Sequence, residues 1–328
     1  MTVESIPVQA APKSLVWQGD ELVSAAGGGQ ASGHDGVAWE EAFAEIFFFD
    51  AGTTSASGRY SALYQERNLE GLLLERGEVV RELVRSDELA GDYDYPLALG
   101  ALSDGREVVV HCPDEYNVLQ IEDAASGERL TAGEREPQDV FHSKLSLSPD
   151  GRYLLSVGWL WHPFGVAMVY DTARALTDPG TLDGDGLVPT TTALNGEVTA
   201  GCWLDADRLV VATGTEGGGT DEAELPPGRL GVWSMSEGRW LHRSPIADAE
   251  PGVLLLPRGD QVVSFRGHPR LLDTATGRLV AEWPEVGLPV KDTCYGVDHI
   301  PSPVAALHPD GTRLAVAQAE SIALITLP

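Results

Sequence analysis

The feature that most constrains the fold is a turn that keeps returning. Ser148-Pro149-Asp150-Gly151 is followed by Arg152, Tyr153 and an apolar run, Leu154-Leu155-Ser156-Val157. Asp-Gly makes a tight turn because Gly adopts positive φ without steric cost and Asp hydrogen-bonds its own backbone. The same arrangement recurs as SDGREVVVHC from Ser103, DADRLVVATG from Asp205, PRGDQVVSFR from Pro257 and HPDGTRLAVAQ from His308. Two looser copies are QGDELVSAAG from Gln18 and SGRYSALYQE from Ser57. The spacing is about 40 to 55 residues, a period at which chains build arrays of one repeated β module.

Each copy carries a second apolar run after a gap of variable length: AEIFFFDAG, LEGLLLERG, YNVLQIEDAASG, VAMVYDTA, RLGVWSMSEG, PRLLDTATG and SIALITLP. Several close on an acid and a turn, as in Tyr170-Asp171-Thr172-Ala173 and Leu272-Asp273-Thr274-Ala275. A shorter run, such as RLVAEW or RWLHRS, then follows. Runs of this length and composition, bounded by Gly, Asp and Pro, read as strands. Helical periodicity is weak except over VAWEEAFAEI, where a turn or two of helix is expected. One module is therefore strand, turn, strand, loop, strand, turn, strand.

The chain resembles the WD-repeat-like β-propellers of bacteria over nearly its whole length. The likeness rests on the turns at 148–152 and 308–311 and on the Asp-Thr-Ala endings at 171 and 273. It departs from the strict repeat in two respects. No Gly-His pair precedes the first strand of a module, and the Trp-Asp pair survives only as Tyr170-Asp171 or Trp233-Ser234. Gly267-His268 has the right letters but follows a second strand. The resemblance implies an all-β propeller, a single domain over 1–328, with seven four-stranded blades near 14–52, 53–92, 93–135, 141–180, 195–245, 249–286 and 299–328; six blades is the alternative. The last copy stops after three strands, so a strand within 3–10 is expected to complete it and remove an open edge.

Charge narrows the partners. Fifty acids against 22 bases give a net charge of −28. Phosphate backbones and anionic membrane surfaces select the opposite balance, so neither is an expected partner. A basic protein or peptide would be attracted, although self-repulsion for solubility explains the same number. Three cysteines at wide spacing form neither a disulfide framework nor a zinc pattern, and the N-terminus lacks the basic start and apolar stretch of a secretory signal. A cytoplasmic protein is the expectation.

In blades of this kind, the loops joining second to third strands and those linking blade to blade emerge on one face, with the Asp-Gly turns on the other. Sorted this way, six of the eight histidines map to the first face: His34, His111, His142, His162, His268 and His299, but not His242 or His308. Cys112, Asp114, Glu115, Tyr93, Asp94, Tyr95, Tyr295 and Asp298 join them, as do Trp159 and Trp161 of the GWLWHPF insertion. Large aromatic side chains on loops are the usual anchors of interfaces. The first expectation is a non-catalytic scaffold that binds a protein or peptide through Trp159, Trp161, His162, Tyr93, Tyr95, Tyr295 and His299. The alternative is an enzyme of lyase, hydrolase or cyclase type, acting on a small molecule at the channel mouth. Its metal ligands or proton carriers would be His111, His142, His162, His268 and His299, with Asp114, Glu115 or Asp298 orienting them. No pattern names a cofactor. Asp183-Gly184-Asp185-Gly186 opens like a calcium loop but continues with Leu187 and Leu194 at ligand positions, so it reads as a turn. The Gly-rich stretch 214–228 follows no phosphate-binding pattern, and the Gly-x-Ser-x-Gly elbow is absent.

Overall fold

The structure, a computed structural model, describes residues 2–23, 49–160, 164–188, 196–215, 224–246, 251–289, 292–294, 297–299 and 301–328, the side chains of 292–299 excepted. It is an all-β propeller. In chain order the strands are β1 (Val3–Pro7), β2 (Val16–Gln18), β3 (Glu21–Val23), β4 (Ala51–Thr54), β5 (Tyr60–Tyr64), β6 (Glu70–Glu75), β7 (Glu78–Val84), β8 (Leu97–Ala101), β9 (Glu107–His111) and β10 (Gln120–Asp123). Next come β11 (Val140–Phe141), β12 (Ser146–Leu147), β13 (Tyr153–Leu160), β14 (Phe164–Asp171), the one-turn helix α1 (Thr172–Ala175), β15 (Val198–Trp203), β16 (Arg208–Thr213), β17 (Arg229–Ser234) and β18 (Arg239–Pro245). The last are β19 (Leu255–Arg258), β20 (Gln261–Arg266), β21 (His268–Asp273), β22 (Leu279–Glu282), β23 (Asp292–Cys294), β24 (Val297–His299), β25 (Ala305–Leu307), β26 (Arg313–Ala317) and β27 (Ser321–Thr326).

Among the described residues these form sheets β4–β7, β8–β10, β11–β14, β15–β18, β19–β22 and β1 with β25–β27, plus the hairpins β2–β3 and β23–β24. The arrangement is compatible with six or seven blades. Three of the recurring turns share one geometry. The amides of Ser55, Ser148 and His308 each donate at 2.8 Å to the carbonyl five residues on, and Gly58, Gly151 and Gly311 donate back at 2.8 Å. Those glycines stand at φ +72°, +69° and +72°, where a side chain would be strained. The Asp-Thr-Ala turns share that rim, since Thr172 Oγ1 donates to Gly151 O and Thr274 Oγ1 to Asp260 O, both at 2.8 Å.

Why the sequence shows apolar doublets rather than alternation follows from the packing. Both faces of each middle strand are covered, so neighbours in sequence serve different layers. Leu154 packs toward β8–β10 and Leu155 toward β15–β18. Val210 and Val211, Val262 and Val263, and Ala315 and Val316 divide in the same way. Successive clusters thus join each sheet to the next, from β4–β7 round to the last sheet, where Trp17 of β2 donates to Ala306 O at 3.1 Å. The N-terminal strand expected within 3–10 is β1, paired antiparallel to β27 from Val3↔Ile325 to Pro7↔Ser321.

Four details differ from the sequence reading. Ala51 and Gly52, assigned to the end of the first module, open β4, where they pair with Tyr64 and Leu63. The β8–β10 sheet has three strands, and only an isolated Glu122↔Arg129 bridge stands where a fourth would run. In the next sheet the inner strand is split into β11 and β12, because Lys144 adopts φ +43° and takes the chain out of the ladder. Its outer edge is also not a strand. Asp171 caps α1 by accepting from the Arg174 amide at 3.0 Å, so the chain turns into helix.

Candidate functional site

The β13–β14 hairpin is the longest among the described residues, eight residues on each side, and its register runs to Leu160↔Phe164. Trp161 and His162, at its tip, lie outside the described residues. Trp159 sits just below, paired with Phe141 of β11. The two rings stack at 4.2 Å and 10°, and Tyr116 stacks on Phe141 at 4.3 Å and 21°. Two near-parallel rings this close to a third must occupy its opposite faces, so Tyr116, Phe141 and Trp159 form a three-ring slab. Phe141 is buried, while the outer two rings are half-buried. Gly158 makes the slab feasible. A Cβ there would stand 2.2 Å from Phe141 O, so only glycine lets β11 lie against β13 at this height.

The Tyr116 end of the slab is held by a carboxylate. Its hydroxyl donates to Asp139 at 2.7 Å, and this bond, with burial and the charges of Glu88 and Glu115, pushes the phenol up to about 12. Beside it, a cleft of about 320 Å³ is lined by Asp114, Glu115, Val118, Arg129, Arg135 and Pro137, among others. Asp114 is already held by Arg129 at 2.6 and 3.0 Å. The Asp183 turn closes around Arg135, which donates to both carboxylate oxygens, and Asp185 accepts from Gln138 at 2.9 Å. Those two acids are spent on the fold, as the turn reading requires.

Tyr93 and Tyr95 do not present their rings to solvent; each is only 2% exposed. Arg85 lies over both rings, 4.5 and 5.1 Å from their centroids, and donates to the carbonyls of Asn68, Ala90 and Tyr93. Tyr93 also meets Phe141 edge-on at 5.3 Å, so it supports the slab from behind. Between them Asp94 joins a tie across the blades: Arg67 lies 2.9 Å from its carboxylate and Lys144 3.9 Å. Lys144 Nζ also donates to Thr199 O at 3.3 Å and Val253 O at 3.1 Å, carbonyls of two further blades.

The histidines that the enzyme alternative would gather have separate partners. His111 is buried, 3.2 Å from Glu122, itself flanked by Arg81 and Arg129. Burial alone would raise the Glu122 carboxyl, but those three bases hold it below its ordinary value. His142 is buried against Ser156 Oγ at 3.0 Å, and desolvation with the nearby Arg135 charge lowers it to about 3, so it is neutral. His268 pairs with Glu282 at 2.9 Å, near the tip of the β20–β21 hairpin. Asp298 and His299 fall in β24, with side chains outside the described set, as is Tyr295 altogether. Among the described residues no group of three His, Cys, Asp or Glu is placed to hold a metal ion. Tyr116 and Phe141 were missed by sequence reasoning. The available signal was Gly158 amid bulky residues, a mark of close backbone approach.

Fold and rim together define a β-propeller with an aromatic, acid-bordered patch at its strand-joining loops. Among solved structures it is similar to a chain in a crystal structure of the mitotic checkpoint complex, with a TM-score of 0.59 and 14% identity over 100% of this chain and 95% of that one. At that identity the likeness bears on the fold alone, and it agrees with the β-propeller arrangement. No family model matches the chain, and no curated protein does. No helix among the described residues is long and apolar enough to cross a membrane.

Proposed function

We propose that this propeller is a non-catalytic interaction scaffold that takes a protein or peptide partner on its aromatic rim. The observation that carries the reading is the Tyr116–Phe141–Trp159 slab, whose two outer rings are half-buried at loop ends of adjoining sheets. Aromatic rings held rigidly at a surface supply contact area at small entropic cost, and such residues dominate interface energetics. A basic partner suits the net charge of −28 and the carboxylates beside Tyr116. The structural neighbour belongs to a protein complex, which is support by analogy of fold. Trp161, His162, Tyr295 and His299 extend the same surface in this reading. The test is a photocrosslinking residue at position 159, with position 104 on the opposite rim as control, in a lysate of the source cell. A discrete adduct at 159 alone is expected, and adducts at neither site or equally at both would refute the reading.

A further inference from the structure

We propose that the outer face of Tyr116 is a cation site that reads arginine side chains in an extended basic segment of the partner. This rests on the aromatic-rim reading and names the chemistry such a partner must carry. One face of Tyr116 is covered by Phe141 at 4.3 Å, which leaves the other outside the slab. Asp139 fixes the ring's orientation through the hydroxyl at 2.7 Å, Glu115 is its chain neighbour, and Glu88 from a third segment adds negative charge near the phenol; all three acids are exposed. Among the described residues none of these three carboxylates is ion-paired, in contrast to Asp114 and Asp183.

Each element alone is unselective. A ring face attracts any flat apolar group, and a carboxylate attracts any cation. Together they favour a planar cation, because guanidinium stacks flat on the ring while its edge donates to carboxylate, whereas ammonium is a compact, strongly hydrated charge. The neighbouring cleft of about 320 Å³, with Glu115, Val118 and Pro137 in its wall, gives room to residues flanking the arginine.

The experiment is fluorescence polarisation with a labelled Gly-Arg-Gly-Arg-Gly-Arg peptide, its lysine counterpart and its neutral citrulline counterpart. The arginine peptide is expected to bind most tightly, with the lysine form about threefold weaker and the citrulline form not measurably bound. Asp139→Asn and Tyr116→Leu should each weaken the arginine peptide about two- to fivefold. Tyr116→Phe, which keeps the ring, should lose less, and Glu82→Gln on β7 should lose nothing. Asp139 is exposed, so its variant keeps the test valid even if Tyr116→Leu unfolds. Equal binding of arginine and lysine peptides, unchanged affinity in Asp139→Asn, or no binding at all would overturn the cation site. If crosslinking at 159 still captures a partner when the arginine peptide fails, this inference falls while the rim reading stands; failure of both sinks both.

Discussion

Gly158→Ala is the sharpest perturbation of the rim. The added methyl would stand 2.2 Å from Phe141 O, with Phe141 C at 3.1 Å and His142 Cα at 3.2 Å also crowded. Since contacts under 3.0 Å are not tolerated, the β11 backbone must retreat by about 0.8 Å. β11 is only two residues long and has no slack beyond its pairing with Trp159 and Leu160. The move therefore carries Phe141 away from a ring it now meets at 4.2 Å. Forcing an extra methyl into a packed site typically costs about 1–3 kcal/mol. For a domain of this size that lowers the melting midpoint by roughly 1.5–4.5 °C. Differential scanning calorimetry measures the shift, and near-UV circular dichroism reports the disturbed slab. Gly287→Ala, where the new methyl meets nothing within 4 Å, is the control and should stay within about 0.5 kcal/mol. A Gly158→Ala protein that melts with the control and keeps its aromatic dichroism would falsify the claim that this glycine sets the slab.

Four further outcomes are expected. Gly151→Ala should destabilise more than Gly58→Ala in chemical denaturation: both stand near φ +70°, but only at 151 does a Cβ meet backbone of the next sheet, at 2.0 Å from Ala101 O. Equal losses would remove the between-sheet contribution. Lys144→Met deprives the Thr199 and Val253 carbonyls of a shared donor and should cost about 1–3 kcal/mol by urea titration; no change would mean that water replaces the amine. The His142 pKa is depressed from 6.5 to about 3, so the unfolded chain binds the extra proton and stability from this residue declines as pH falls from about 6.5 toward 3. His142→Gln should lose stability less steeply over that window, and parallel curves would refute the assignment. Glu66 behaves oppositely: burial, with Asp94 and Asp50 nearby, pushes it up to about 8, so the folded chain holds a proton that the unfolded chain has released. Stability from Glu66 is then lost as pH rises from about 4.5 to 8, and Glu66→Gln should gain on the parent across that range.

Local chemistry was legible and long-range reach was not. The Asp-Gly turns are specified within six residues, so the sequence at 148–153 and 308–313 names both their position and their geometry. Closure by residues 3–7 was also readable, because a fourth strand was missing from SIALITLP and an unassigned one stood at the other end. The shortened β11–β14 sheet was not, since nothing in HSKLSL announces that Lys144 will take a left-handed φ to reach three other blades. Tyr93 and Tyr95 were placed on the correct link between sheets, but their burial depends on Arg85, which reaches in to satisfy carbonyls around them. The slab escaped notice for the same reason: Tyr116, Phe141 and Trp159 are far apart in sequence, strand pairing joins the last two, and the packing of a second sheet brings Tyr116 to them.

The pairing of β1 with β27 has a consequence for how the molecule is made. Residues 3–7 leave the ribosome before residues 321–326 and must stay unpaired until those emerge, so the circle cannot lock while the intervening sheets are being made. Until then the nascent chain is a growing arc with a raw edge at each end, and its exposure to misassociation lasts until residues 321–326 are free to pair.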